Sequence, residues 1–241
     1  MFHLPAALAD ESVRLVASAL FWSCATVFAY WTSKQMHRRR PHWWNAPLVL
    51  APVVLGSAVL LLHSDYRHYL SGTHWLVFFV GPATVAFAVP IYEQRELLRR
   101  EWPALSIGIL VGSLASMACA WMLASLLSID GALRLSLLPR SVSTPFAMVI
   151  SEEIGGVPNL TAAFTLVTGI VGTVCGERLL HVLPVASASA SGALFGMGAH
   201  GAGVAQAHQI GRAEGSAAGV VMVIVGLVNV LVTPVLAHLL A

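Results

Sequence analysis

The sequence has 241 residues, of which 57% are hydrophobic and only 10% charged, with a mean hydropathy of +0.79 and a formal charge of +2. Soluble domains carry roughly 25% charged residues, so this composition excludes a soluble globule, and the small positive excess gives no ground for nucleic-acid binding. Apolar segments of about 20 residues recur along the chain, the length that crosses a bilayer as a helix, and their continuous rather than alternating pattern makes the expected fold all-α.

The first predicted span runs over residues 13–33, after Asp10 and Glu11, and no cleaved signal peptide is expected there. It ends at KQMHRRRPH, where Lys34, Arg38, Arg39 and Arg40 stand without an acid. The second span, residues 46–63, leads to the short polar stretch SDYRHYLSGTH, read as an outer loop. The third, residues 75–92, meets EQRELLRREW, with Arg95, Arg99 and Arg100, read as an inner loop. Basic residues gather in cytoplasmic loops, so the first and third spans end inside and the N-terminus lies outside. The fourth span, residues 104–128, carries Gly108, Gly112, Ser113 and Ser116, small residues whose spacing permits close helix packing.

Between residues 134 and 158 the pattern breaks. Pro139 and Pro145 interrupt an apolar segment that also holds Arg140, Ser141, Ser143, Thr144 and the pair Glu152 and Glu153, which predicts a broken or re-entrant hairpin. Spans over 160–183, 188–210 and 216–240 follow, giving about 7–8 transmembrane segments in a single transmembrane domain, 1–241. FFVGPATVAFAVPIY in the third span aligns with LFGMGAHGAGVAQAH in the seventh. That echo suggests repeat halves at about 13–128 and 129–240, the inverted arrangement that many secondary transporters use. Cys24, Cys119 and Cys175 fall inside spans without close spacing, so they are expected to be packing residues rather than a disulfide frame or zinc site. No metal ligand set, nucleotide-binding motif or catalytic signature is present, and no cofactor is expected.

Three places carry candidate chemistry. Gly81, Pro82 and Pro90 read either as a break that exposes half-helix ends, where backbone N–H groups favour a carboxylate and Thr84 adds a hydroxyl, or as a simple proline kink. Arg140 at membrane depth implies a partner or a substrate; it reads as an anion-binding residue, or as a side chain snorkelling to the interface or paired with Glu152 or Glu153. His200 lies among Gly198, Gly201 and Gly203, where the backbone is open to a ligand. Its imidazole reads as a carboxylate donor or proton carrier, or as one half of an interhelical hydrogen bond.

At these segments the chain resembles the LrgB/CidB family. The resemblance rests on SLLPRSVSTPFAMVISEEIGGVPNLTAAFTLVTGIVG, with GPATVAFAVPIYEQ and GILVGSLAS in the same order. It implies a multi-pass bacterial inner-membrane protein, linked to control of murein hydrolase export and autolysis in a holin/antiholin scheme with a small LrgA/CidA-like partner. A domain of the plastidial glycolate/glycerate translocator is similar, which implies instead a carrier of small carboxylates. On this second implication the substrate site comprises Pro82, Thr84, Arg140, Ser141, Ser143, Thr144, Glu152, His200, Gly201 and Gly203. The seventh span departs from the family pattern at Ala199, Val204 and Gln206, where two hydroxyls and a positive charge are lost, and Arg212 stands where an acid is usual, so no named substrate transfers. A homodimer is expected from the small-residue helix faces.

Overall fold

The computed structural model describes residues 6–40, 42–86, 88–185 and 187–240, and every regular element among them is helical. They form two compact units, one ending at Ala83 and one beginning at Thr84.

In the first unit, α1 (Ala6–Arg39) runs for 34 residues because no Gly or Pro interrupts it, and it ends on His37, Arg38 and Arg39. Cations suit the negative end of a helix, and the proline at position 41 forbids continuation. A short 3₁₀ turn, Trp43–Asn45, leads into α2 (Pro47–Leu61), which opens with proline in its first turn. The polar stretch after Ser64, expected as a loop, is instead mostly α3 (Tyr66–Phe78). Asp65 starts this helix by accepting the Arg67 N–H at 3.3 Å, and Gly72 lets it lie against α1 near Ala19 and the buried Trp22. Trp75 Nε1 donates to Ser23 Oγ (2.7 Å), which donates to the Gly72 carbonyl (3.0 Å), so the polar groups of the contact satisfy one another.

The boundary between the units falls in α4 (Val80–Ala86). The third span is interrupted at Phe79, between α3 and α4, and Pro82 sits in the first turn of the restarted helix, where its missing N–H is tolerated. In the second unit α5 (Ala88–Glu93) precedes α6 (Arg95–Leu126). The charged segment expected as an inner loop is therefore mostly the opening turns of α6, since Arg, Glu and Leu are strong helix formers.

Three short pieces follow, as the prolines predict: α7 (Gly131–Leu137), a 3₁₀ turn over Leu138–Ser141, and α8 (Thr144–Glu153). The chain ends in α9 (Pro158–Val182), α10 (Ala188–Gly198), α11 (His200–Ile210) and α12 (Arg212–Leu240).

Helix α12 is the axis of the second unit. Val220, Val221, Val223 and Val225 are all buried, α10 and α11 lie along it, and Ile109 of α6 packs on Val221 and Val225. Its buried polar groups are paired: Asn229 Nδ2 donates to Ser113 Oγ and to the Val225 carbonyl, both at 2.8 Å, and Thr233 Oγ1 donates to Met117 Sδ at 3.4 Å.

Helices α6, α9 and α12 are each long and apolar enough to cross a membrane, and α2 is a shorter apolar helix. Large apolar side chains turn outward along them, such as Ile107 (65% exposed) and Leu231 (74%), an arrangement suited to hydrocarbon and not to water. The chain is thus a helical membrane protein. Cys24 of α1, Cys119 of α6 and Cys175 of α9 correct an expectation: they are free and exposed instead of packed inside.

Candidate functional site

The seventh span is broken near its middle. Helices α10 and α11, 11 residues each, meet at Ala199 (φ −138°, ψ 7°) and His200 (φ +42°). A non-glycine residue in the left-handed region costs roughly 1–2 kcal/mol, so the surroundings must hold this turn in place. Those surroundings are glycines of α9 and of α11 itself. A Cβ at Gly172 of α9 would collide with the Gly198 carbonyl, one at Gly203 with the Phe195 carbonyl, and one at Gly169 would touch the Ala199 carbonyl and His200 Nδ1 at 3.5 Å.

The break buries His200 to 4% exposure, and among the described residues Nε2 has no hydrogen-bond partner. Leaving such a group unpaired costs about 1–3 kcal/mol, and each instance in a native fold asks for an explanation. Arg140 is the residue that acts on the ring, through its backbone and through its charge, without giving Nε2 a partner of hydrogen-bond geometry.

The proline-flanked segment explains how Arg140 arrives there. Pro139 is buried in the 3₁₀ turn, Val142 is extended (φ −111°, ψ 155°), and Ser143 stands at the N-cap of α8 with its hydroxyl unused as a cap. Beneath it a hydroxyl cluster fixes the hairpin: Thr161 Oγ1 donates to Ser151 Oγ (2.7 Å) and to the Ser136 carbonyl (3.0 Å), and Ser136 Oγ accepts the Val157 N–H (2.7 Å). Gly155 (φ +84°) makes the turn after α8, where a side chain would be strained.

Arg140 is half-buried and, among the described residues, makes no ion pair. Arg140 shares a neighbourhood with the His200 ring, on which both its backbone and its charge act.

The structure therefore joins His200 to Arg140, and chain continuity keeps Ser141, Ser143 and Thr144 next to Arg140. Glu152 and Glu153 are exposed at the far end of α8, Glu152 lying roughly 12 Å along the axis from Thr144. The alternative pairing of either with Arg140 is not made. Gly203 is buried at the α10 and α11 contact, while Gly201 is exposed. Pro82 is exposed in the first unit, and the side chain of Thr84 lies outside the described residues. Sequence reasoning missed Gly169 and Gly172, whose spacing of three in α9 is the small-residue signal already read in the fourth span.

The model of the LrgB-like family matches residues 26–239. The chain belongs to the LrgB family. This bears out the resemblance carried by the Pro139 to Gly156 segment. Among its relatives, the uncharacterized protein YwbG of Bacillus subtilis (strain 168) is 34% identical over 211 residues, 88% of this chain and 94% of its own length. The antiholin-like protein LrgB of the same organism is 34% identical over 194 residues, covering 80% of this chain and 84% of the relative. The antiholin-like protein LrgB of Bacillus mycoides (strain KBAB4) is 33% identical over 189 residues, 78% of this chain and 82% of the relative. No solved structure matches this LrgB-family chain.

Proposed function

We propose that this LrgB-family protein works in the bacterial cytoplasmic membrane as an antiholin-like regulator of murein hydrolase export and autolysis, together with a small LrgA/CidA-like membrane protein. The observation that supports this reading is the family match along nearly the whole chain, with relatives whose names are antiholin-like. Expression in a bacterial host lacking its own LrgB-family protein should slow detergent-triggered lysis when the small partner is supplied. An unchanged lysis rate in the presence of the partner counts against the reading.

A second reading is favoured by one feature of the site, the buried His200 Nε2, which has no hydrogen-bond partner among the described residues, in the neighbourhood of Arg140. On this reading the protein is a homodimeric secondary transporter of small monocarboxylates of the glycolate, glycerate or pyruvate kind. Arg140 holds the carboxylate, Ser141, Ser143 and Thr144 donate to it, and His200 binds it or carries a coupled proton. Proteoliposomes separate the readings: saturable uptake of one acid, lost in Arg140→Gln, supports a carrier. Non-saturable leakage of several acids, or no flux at all, removes it.

A further inference from the structure

We infer that the first unit holds an anionic phospholipid of the cytoplasmic leaflet at the basic end of α1, its headgroup on Arg39 and Arg40 and its acyl part on the apolar face of that helix. The observation behind it is a cavity of about 640 Å³ whose walls include Trp31, Met36, Arg39, Arg40 and Trp44. This volume falls in the range of small-molecule sites, about 300–1,000 Å³. Basic residues at the end of a span serve topology without any shape. Here the chain adds one.

Asn45, 1% exposed, is the latch that shapes it. Its Nδ2 donates to the Arg40 carbonyl (2.6 Å), and its Oδ1 accepts from the His42 N–H (3.1 Å) and from His37 Nδ1 (2.8 Å). These bonds turn the chain back immediately after the arginines and bring Trp44 opposite α1. Charge complementarity then selects the occupant. No Asp or Glu occurs between Glu11 and Asp65. Among the described residues neither arginine forms an ion pair.

The rim is cationic while the wall is apolar and continues onto the outward face of α1 at Val27 and Phe28, 57% and 65% exposed. A free phosphate uses only the rim. A phosphodiester carrying acyl chains uses both, and anionic lipids are enriched in the leaflet that basic loops face. The site belongs to the first unit alone, so it is independent of whether the protein regulates lysis or carries an acid.

The test is native mass spectrometry of the full-length protein released from mixed phosphatidylcholine and phosphatidylglycerol vesicles, with melting in the same lipids. Wild type is expected to retain phosphatidylglycerol over phosphatidylcholine, and R39Q/R40Q to retain roughly ten-fold less or lower still. The charge-matched variant R99Q/R100Q, whose arginines lie outside this cavity, should retain wild-type levels. N45A, which removes the latch and leaves every charge, should also lose the lipid. Equal retention in R39Q/R40Q, equal loss in R99Q/R100Q, or the same melting shift from inorganic phosphate alone would each overturn the assignment.

Discussion

Two buried polar spots in the second unit sit in similar apolar surroundings and have opposite characters. Between α6 and α12, Asn229 and Thr233 are nearly fully buried and their donors find Ser113, the Val225 carbonyl and Met117. At the α10 and α11 break, His200 is also buried, and among the described residues its Nε2 has no partner. Burial alone does not mark a site. A satisfied polar group holds helices together and specifies how they register, whereas an unsatisfied one carries a cost that a ligand can offset. The comparison also says which residues should matter for stability and which for work.

The largest effect on stability should come from the scaffold of the break. Gly172→Val forces a branched side chain into the Gly198 carbonyl and is expected to cost about 3 kcal/mol or more. Loss of monodisperse protein on gel filtration is the readout, and normal yield with an unchanged melting temperature would show that the break is loosely packed.

Asn229→Ala should destabilise by about 1–3 kcal/mol, because Ser113 loses its buried partner. Much of that loss should return in the double change Asn229→Leu with Ser113→Ala, which removes both polar groups. Thermal melting in one detergent measures the series, and full additivity of the two single changes would break the proposed pairing.

His200→Asn sharpens the contrast, since asparagine tolerates the left-handed backbone and no side-chain hydrogen bond to Nε2 is given up. Its stability should stay within about 1 kcal/mol of wild type while the protein's activity is lost. Glu152→Gln is the smallest case. That carboxylate is exposed and makes no ion pair among the described residues, so stability should move by less than about 0.5 kcal/mol. Melting and activity measured together check both variants.

Much of this architecture was legible in the sequence because bilayer physics is coarse. Length and apolarity mark α6, α9 and α12, and Pro139 and Pro145 mark the broken segment between them. Helices drawn from polar residues were less legible. Residues 64–74 and the opening turns of α6 read as loops because they lack apolar runs, yet Asp65 capping and the helix propensity of Arg, Glu and Leu make them mostly helical.

The candidate site was half visible. Arg140 and His200 stand out as ionisable residues in apolar segments, but the break that buries His200 depends on Gly169, Gly172 and Gly203 letting α9, α10 and α11 approach. Glycine spacing signals close packing without saying which helix is the neighbour. The exposed cysteines show the same limit, since apolar periodicity does not distinguish a face toward lipid from one toward protein.

The central claim is that the break at His200 beside Arg140 is a working site and not packing. It is tested most directly by lysis control in a host lacking its own LrgB-family protein, complemented with wild type or with His200→Asn at matched membrane levels and with the small partner present. The account predicts that wild type slows lysis and that His200→Asn, equally stable and equally abundant, does not. Wild-type lysis control by His200→Asn would contradict it and return His200 to the same structural role as Asn229.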